Sequence, residues 1–203
     1  RQIRQYAHEG IWHIWLGYDH VVFLLALLLP AVLRRIANRW EPAPDFFSAL
    51  GEVVAIVTAF TVAHSITLSL ASLGVISLPS RLIESAIAAS VAFAGVSNLY
   101  PALTQRRWLV AFLFGLIHGF GFASVLSDLG LPQGSLALSL VSFNLGVEVG
   151  QLAIVAIFLP LAYGLRKSWT YQRLVLVSGS LGIVALACAW LMERALDLKL
   201  IPL

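Results

Sequence analysis

The chain has 203 residues, of which 60% are hydrophobic and only 11% charged, with 13 Lys+Arg against 10 Asp+Glu and a net charge of +3. A soluble domain holds about 25% charged residues and 45–50% apolar ones, so a mean hydropathy of +0.89 excludes a disordered chain, a disulfide scaffold and an ordinary soluble enzyme domain. What remains is an all-α, polytopic membrane helix bundle forming a single transmembrane domain over residues 1–203, whose basic residues orient helices and meet lipid headgroups rather than nucleic acid.

A crossing helix needs about 20 mostly apolar residues. That measure predicts six spans, over residues 11–33, 47–75, 82–103, 108–129, 135–165 and 173–192. Residues 1–10, with Arg1, Arg4 and Tyr6, read as an interfacial lead-in. The first span carries His13, Asp19 and His20. The link after it, with Pro42 and Pro44, reads as a loop. The second span carries His64, flanked by Ser65 and Thr67, and the third opens with Glu84 after Pro79. The fourth carries His118, and Pro132 punctuates the link beyond it. The fifth holds Asn144, Glu148 and Gln151; the sixth has nothing comparable and reads as packing.

Six spans put both termini on one side. The loops after spans 1, 3 and 5 hold Arg34, Arg35, Arg39, Arg106, Arg107, Arg166, Lys167 and Arg173, against Arg1, Arg4, Arg81, Arg194 and Lys199 on the other side. This bias places the odd-numbered loops in the cytoplasm and both termini outside. A start at Arg1 reads as a fragment or processed product, with a signal segment or a soluble or periplasmic partner domain expected upstream. The lone Cys188 has no internal disulfide partner.

Ionisable side chains within a membrane are costly unless paired, hydrated or ligating, so each is a candidate functional residue. At 1.5 Å per residue, Asp19 and His20 lie roughly 12–14 Å from the outer end of their span, His64 and His118 roughly 16 Å and Asn144 about 14 Å. Four helices thus bring polar groups to one layer in the outer half of the membrane. On a straight helix His13, Gly17 and His20 share one stripe, and Asn144, Glu148 and Gln151 another. Gly17, Gly115, Gly119, Gly121, Gly146 and Gly150 would let helices approach closely around that layer. Imidazole with carboxylate is the ligand chemistry of a divalent transition metal, nickel or zinc among them. The candidate ligands are His13, Asp19, His20, His64 and His118, with Glu84, Asn144, Glu148 and Gln151 as supporting or pathway residues.

Plainer readings stand beside these. A lone intramembrane histidine is as often an interhelical hydrogen-bond partner as a ligand. Glu84 near the interface reads as solvated and His8 as a surface residue; Trp12, Trp15, Trp40 and Trp108 read as interface anchors, and Ser65 and Thr67 as bonding their own helix.

The run His13-x5-Asp19-His20, with Phe114-x3-His118-Gly119, resembles the HupE/UreJ family of bacterial membrane proteins, in the branch with an extra-cytoplasmic N-terminal region. Ala63-His64-Ser65-x-Thr67 and Asn144-x3-Glu148-x2-Gln151 fit that branch, and the resemblance runs from about Gly10 to Leu165. It implies a permease or accessory protein for nickel or a related divalent metal, with His13, Asp19 and His20 as the first metal-binding motif and His118 in the second. Hydrogenase-linked members place a further histidine four residues on, where this chain has Phe122. Two functions stay open. One is transport, with the ion resting on the histidines and passing Glu148. The other is an intramembrane zinc-dependent hydrolase acting on a lipid or lipoprotein, with Ser65, Asp19 and Glu148 as its catalytic candidates.

Overall fold

The computed structural model describes residues 2–36, 39–100, 106–121 and 136–197. Helices α1 (Gln2–Leu16) and α2 (Tyr18–Leu28) lead into a short hairpin, β1 (Leu33–Ile36) and β2 (Arg39–Pro42). Then follow α3 (Phe46–Ser72), α4 (Ser80–Leu99), α5 (Arg107–Gly121) and α6 (Leu136–Leu165). A π-helical turn, Thr170–Val175, runs directly into α7 (Leu176–Leu196). Four of these helices are long and apolar enough to cross a membrane, and the bent pair α1–α2 makes a fifth. Helix α5, at 15 residues, is shorter, and the rest of the span expected over 108–129 lies outside the described residues, as does Phe122. The protein is a multi-pass bundle of membrane helices.

Two elements depart from the sequence reading. The first span is not straight: α1 and α2 meet at Gly17 at an angle of 71°. Residue 17 must be small, because a Cβ there would lie 2.6 Å from the His13 carbonyl oxygen and 3.0 Å from the His20 ring. The expected lead-in is itself the start of α1, which lies along α6. The link over 34–45 is likewise not an open loop, since Leu33 pairs with Pro42 and Arg35 with Trp40 in an antiparallel register.

Close packing follows the glycines. A Cβ on Gly10 would run into the Phe143 carbonyl, and one on Gly146 into the Ala7 carbonyl, so α1 and α6 touch backbone to backbone. Gly115 and Gly119 do the same for α5 on α3: a Cβ on Gly115 would sit 2.5 Å from the Phe60 oxygen, and one on Gly119 would collide with the His64 oxygen. Without a hydrophobic drive between helices in lipid, such contacts and interhelical hydrogen bonds supply the association.

One end of α2 is tied to three other elements. Its last carbonyls lack helical partners, and side chains supply them. Asn98 of α4 donates to the Ala26 oxygen at 2.8 Å, Arg107 of α5 to the Leu27 oxygen, and the Tyr171 hydroxyl to the Leu29 oxygen at 2.8 Å. Arg107 also pairs with Glu52 of α3 at 2.9 Å. Trp40, expected as an interface anchor, donates its indole N–H to the Asn98 backbone oxygen at 2.8 Å, which pins the hairpin against α4.

Candidate metal centre

The break at Gly17 puts Asp19 and His20 in the first turn of α2, deep in the bundle, while His13 stays on the last turn of α1. The bend folds the two imidazoles together, with ring centres 4.5 Å apart. His64 comes from the middle of α3, its ring centre 6.0 Å from each of them. One nitrogen from each of His13, His20 and His64 lies within 4.8 Å of the others, a spacing at which one cation could be shared. His118, from α5, falls outside that trio but borders it, its ring centre 5.2 Å from His20.

The surroundings fix which nitrogen of each ring keeps its lone pair. A carboxylate only accepts, so the Asp19 Oδ1 3.0 Å from the His20 Nδ1 requires a proton on Nδ1 and a lone pair on Nε2. Asn144 donates its amide to the Leu140 oxygen at 2.9 Å, which turns its Oδ1 toward the His64 Nδ1 at 3.4 Å and leaves that Nε2 as the lone-pair atom. Ser90 of α4 spends its hydroxyl proton on the Ile87 oxygen at 2.7 Å, so it accepts from the His118 Nε2 at 3.0 Å and leaves Nδ1 bare. These three lone-pair nitrogens, His20 Nε2, His64 Nε2 and His118 Nδ1, are buried and meet no hydrogen-bond donor among the described residues. Buried polar atoms are nearly always satisfied. An array of unclaimed acceptors answers to a cation, so the residues present fit a transition-metal ion.

Aromatic rings pack around the site. Phe60 stacks on His64 with ring centres 5.9 Å apart, Phe23 lies 4.9 Å from His118, and Phe143 lies 5.4 Å from His13. His64 and His118 are fully buried, while His13 and Asp19 are only partly so. The centre therefore opens at the α1–α2 joint.

The remaining candidates fall elsewhere. Asp19 does not join the mutually close trio; its Oδ1 accepts from the ring and backbone N–H of His20. Thr61 donates to Gln151 at 3.0 Å and Thr58 to Glu148 at 3.1 Å, so Gln151 and Glu148 continue a line of polar contacts between α3 and α6 that begins with His64 and Asn144. Glu84 sits 3.8 Å from Arg194, on the surface of α4. Ser65 donates to the Thr61 carbonyl of its own helix at 2.6 Å, and Thr67 to the Ala63 and His64 carbonyls. His8, on the surface, accepts from Trp12 at 2.7 Å. Ser90 was not legible as a site residue, because one serine in an apolar helix looks like any back-bonding serine.

A family model described as HupE / UreJ protein matches residues 1–194. No curated protein and no solved structure matches the chain.

Proposed function

The chain belongs to the HupE/UreJ family, and from that premise we propose that it is a permease or delivery protein for a divalent transition metal, with nickel the leading cargo. The observation that carries this reading is the meeting of His13, His20 and His64, one nitrogen of each within 4.8 Å of the others, with unclaimed lone pairs on His20 and His64 set by an acceptor behind each ring. The ion reaches the trio from the α1–α2 joint, where His13 is partly exposed. Asp19, Asn144 and Ser90 orient the imidazoles, and Gln151 and Glu148 mark the onward direction along the α3–α6 seam. The basic residues gathered at the hairpin end support an inner-membrane orientation with that end in the cytoplasm and the metal centre nearer the outside. The hydrolase reading draws no support from Ser65, whose proton is committed to its own helix.

The test is metal content of the purified full chain after dialysis against Ni²⁺, Co²⁺ or Zn²⁺, paired with uptake into reconstituted vesicles. Near-stoichiometric metal that His20→Ala or His64→Ala abolishes is the expected result, together with uptake that both variants lose. Metal content unchanged in both variants would remove the site. Binding without uptake of any of the three ions would remove the permease role and leave delivery.

A further inference from the structure

At the end of the bundle away from the metal centre, a cavity of about 510 Å³ opens between β2, the end of α4 and the π-helical turn. Arg39 and Arg173 line it together with Trp40 and Asn98, and Leu99, Leu176 and Val177 form its apolar side. Neither guanidinium has a hydrogen-bond or ion-pair partner among the described residues. Among the neighbouring arginines at this end, Arg107 is held by Glu52 and the Leu27 carbonyl, and Arg166 by the Ala43 and Tyr163 carbonyls. Two free guanidiniums thus share one recess whose other wall is hydrocarbon.

We infer that this recess binds an anionic phospholipid, the phosphate held between Arg39 and Arg173 and an acyl chain lying along Leu99, Leu176 and Val177. Guanidinium forks match phosphate oxygens in planar, paired geometry, which a scattered basic surface does not offer. The recess lies at the level where helices leave the hydrocarbon, since α4 ends at Leu99 and the crossing segment Thr170–Leu196 begins beside it. Phosphate and hydrocarbon surfaces adjoin at that depth, and only a lipid presents both. The occupant would also tie the hairpin to the start of α7.

The experiment reconstitutes the full chain in nanodiscs of phosphatidylcholine with a minor share of phosphatidylglycerol, then measures the lipid retained after extraction by native mass spectrometry. Wild type is expected to retain phosphatidylglycerol at about tenfold its bulk share. The Arg39→Gln/Arg173→Gln double variant should fall to the bulk share, while Arg39→Lys/Arg173→Lys, which keeps the charge but not the fork, retains an intermediate enrichment and guards against misfolding. Arg106→Gln/Lys167→Gln removes the same charge outside the recess and should leave the enrichment intact. Equal loss in both glutamine variants would mean diffuse attraction and overturn the proposal, as would absence of enrichment in wild type. Displacement of the retained lipid by millimolar inorganic phosphate would reassign the arginines to a free anion and overturn it too. None of these outcomes depends on whether the histidines bind metal.

Discussion

Asp19, Asn144 and Ser90 each occupy the far nitrogen of an imidazole, and partners of this kind set ring orientation and basicity, at a typical cost of 10–100-fold in affinity when removed. Asn144→Leu is therefore expected to weaken metal binding by about 10–100-fold in a folded protein, while Asn144→Asp, which keeps an oxygen toward His64, retains more of it; a chelator competition titration measures both. A parallel loss of helicity in the leucine variant would show the residue to be structural instead. The four histidines that converge were named by spacing and depth, because an imidazole in hydrocarbon is conspicuous in any sequence. Asp19 was named too, but as a ligand. Residue type does not reveal that its Oδ1 meets the adjacent ring, a contact made in the first turn after the helix break at Gly17.

That break was invisible to periodicity. His13, Gly17 and His20 fit a straight helical stripe, and a glycine in a membrane helix reads as a packing site before it reads as a joint. The other glycines did declare close approaches, and they separate into tight and open positions. Gly119→Ala would press a methyl group onto the His64 carbonyl and the Thr67 hydroxyl and should cost about 1–3 kcal/mol. Gly182 of α7 meets nothing within 4 Å, so Gly182→Ala should be neutral or stabilise by about 0.5–1 kcal/mol. Thermal unfolding in one detergent compares the two directly. The start of α3 adds a pH effect. The Ser48 hydroxyl, 2.7 Å from Asp45, and the Ser48 backbone N–H at 2.8 Å hold the Asp45 carboxyl below its ordinary value. A depressed carboxylate stabilises the fold above its unfolded value of about 3.9 and loses that contribution as pH falls through the lower folded one. Asp45→Asn should thus destabilise at pH 6 more than at pH 3, and an equal effect at both would refute the cap's charge dependence.

Across the whole molecule, the carbonyl end of α2 is clasped by α4, α5 and the π-helical turn, which fixes where its opposite end holds His20. Arg107→Met should strand the Leu27 oxygen and the Glu52 carboxylate, cost about 2 kcal/mol, and displace His20 enough to weaken metal binding at a site far along the helix. A stability loss with unaltered metal affinity would show that α2 does not transmit the clasp. The helical bundle class was written in the hydropathy, while the hairpin and the clasp were not, since both depend on backbone acceptors that any sequence carries. One feature of the centre bears on its kinetics. Four imidazoles gather around the single carboxylate of Asp19, so a doubly charged ion held there by uncharged ring nitrogens would leave about one unit of positive charge uncompensated among aromatic rings. An occupant under such strain is held by its ligand bonds against its own electrostatics. On the proposed function, that excess charge would shorten the ion's stay, and its release rate into a chelator would measure this.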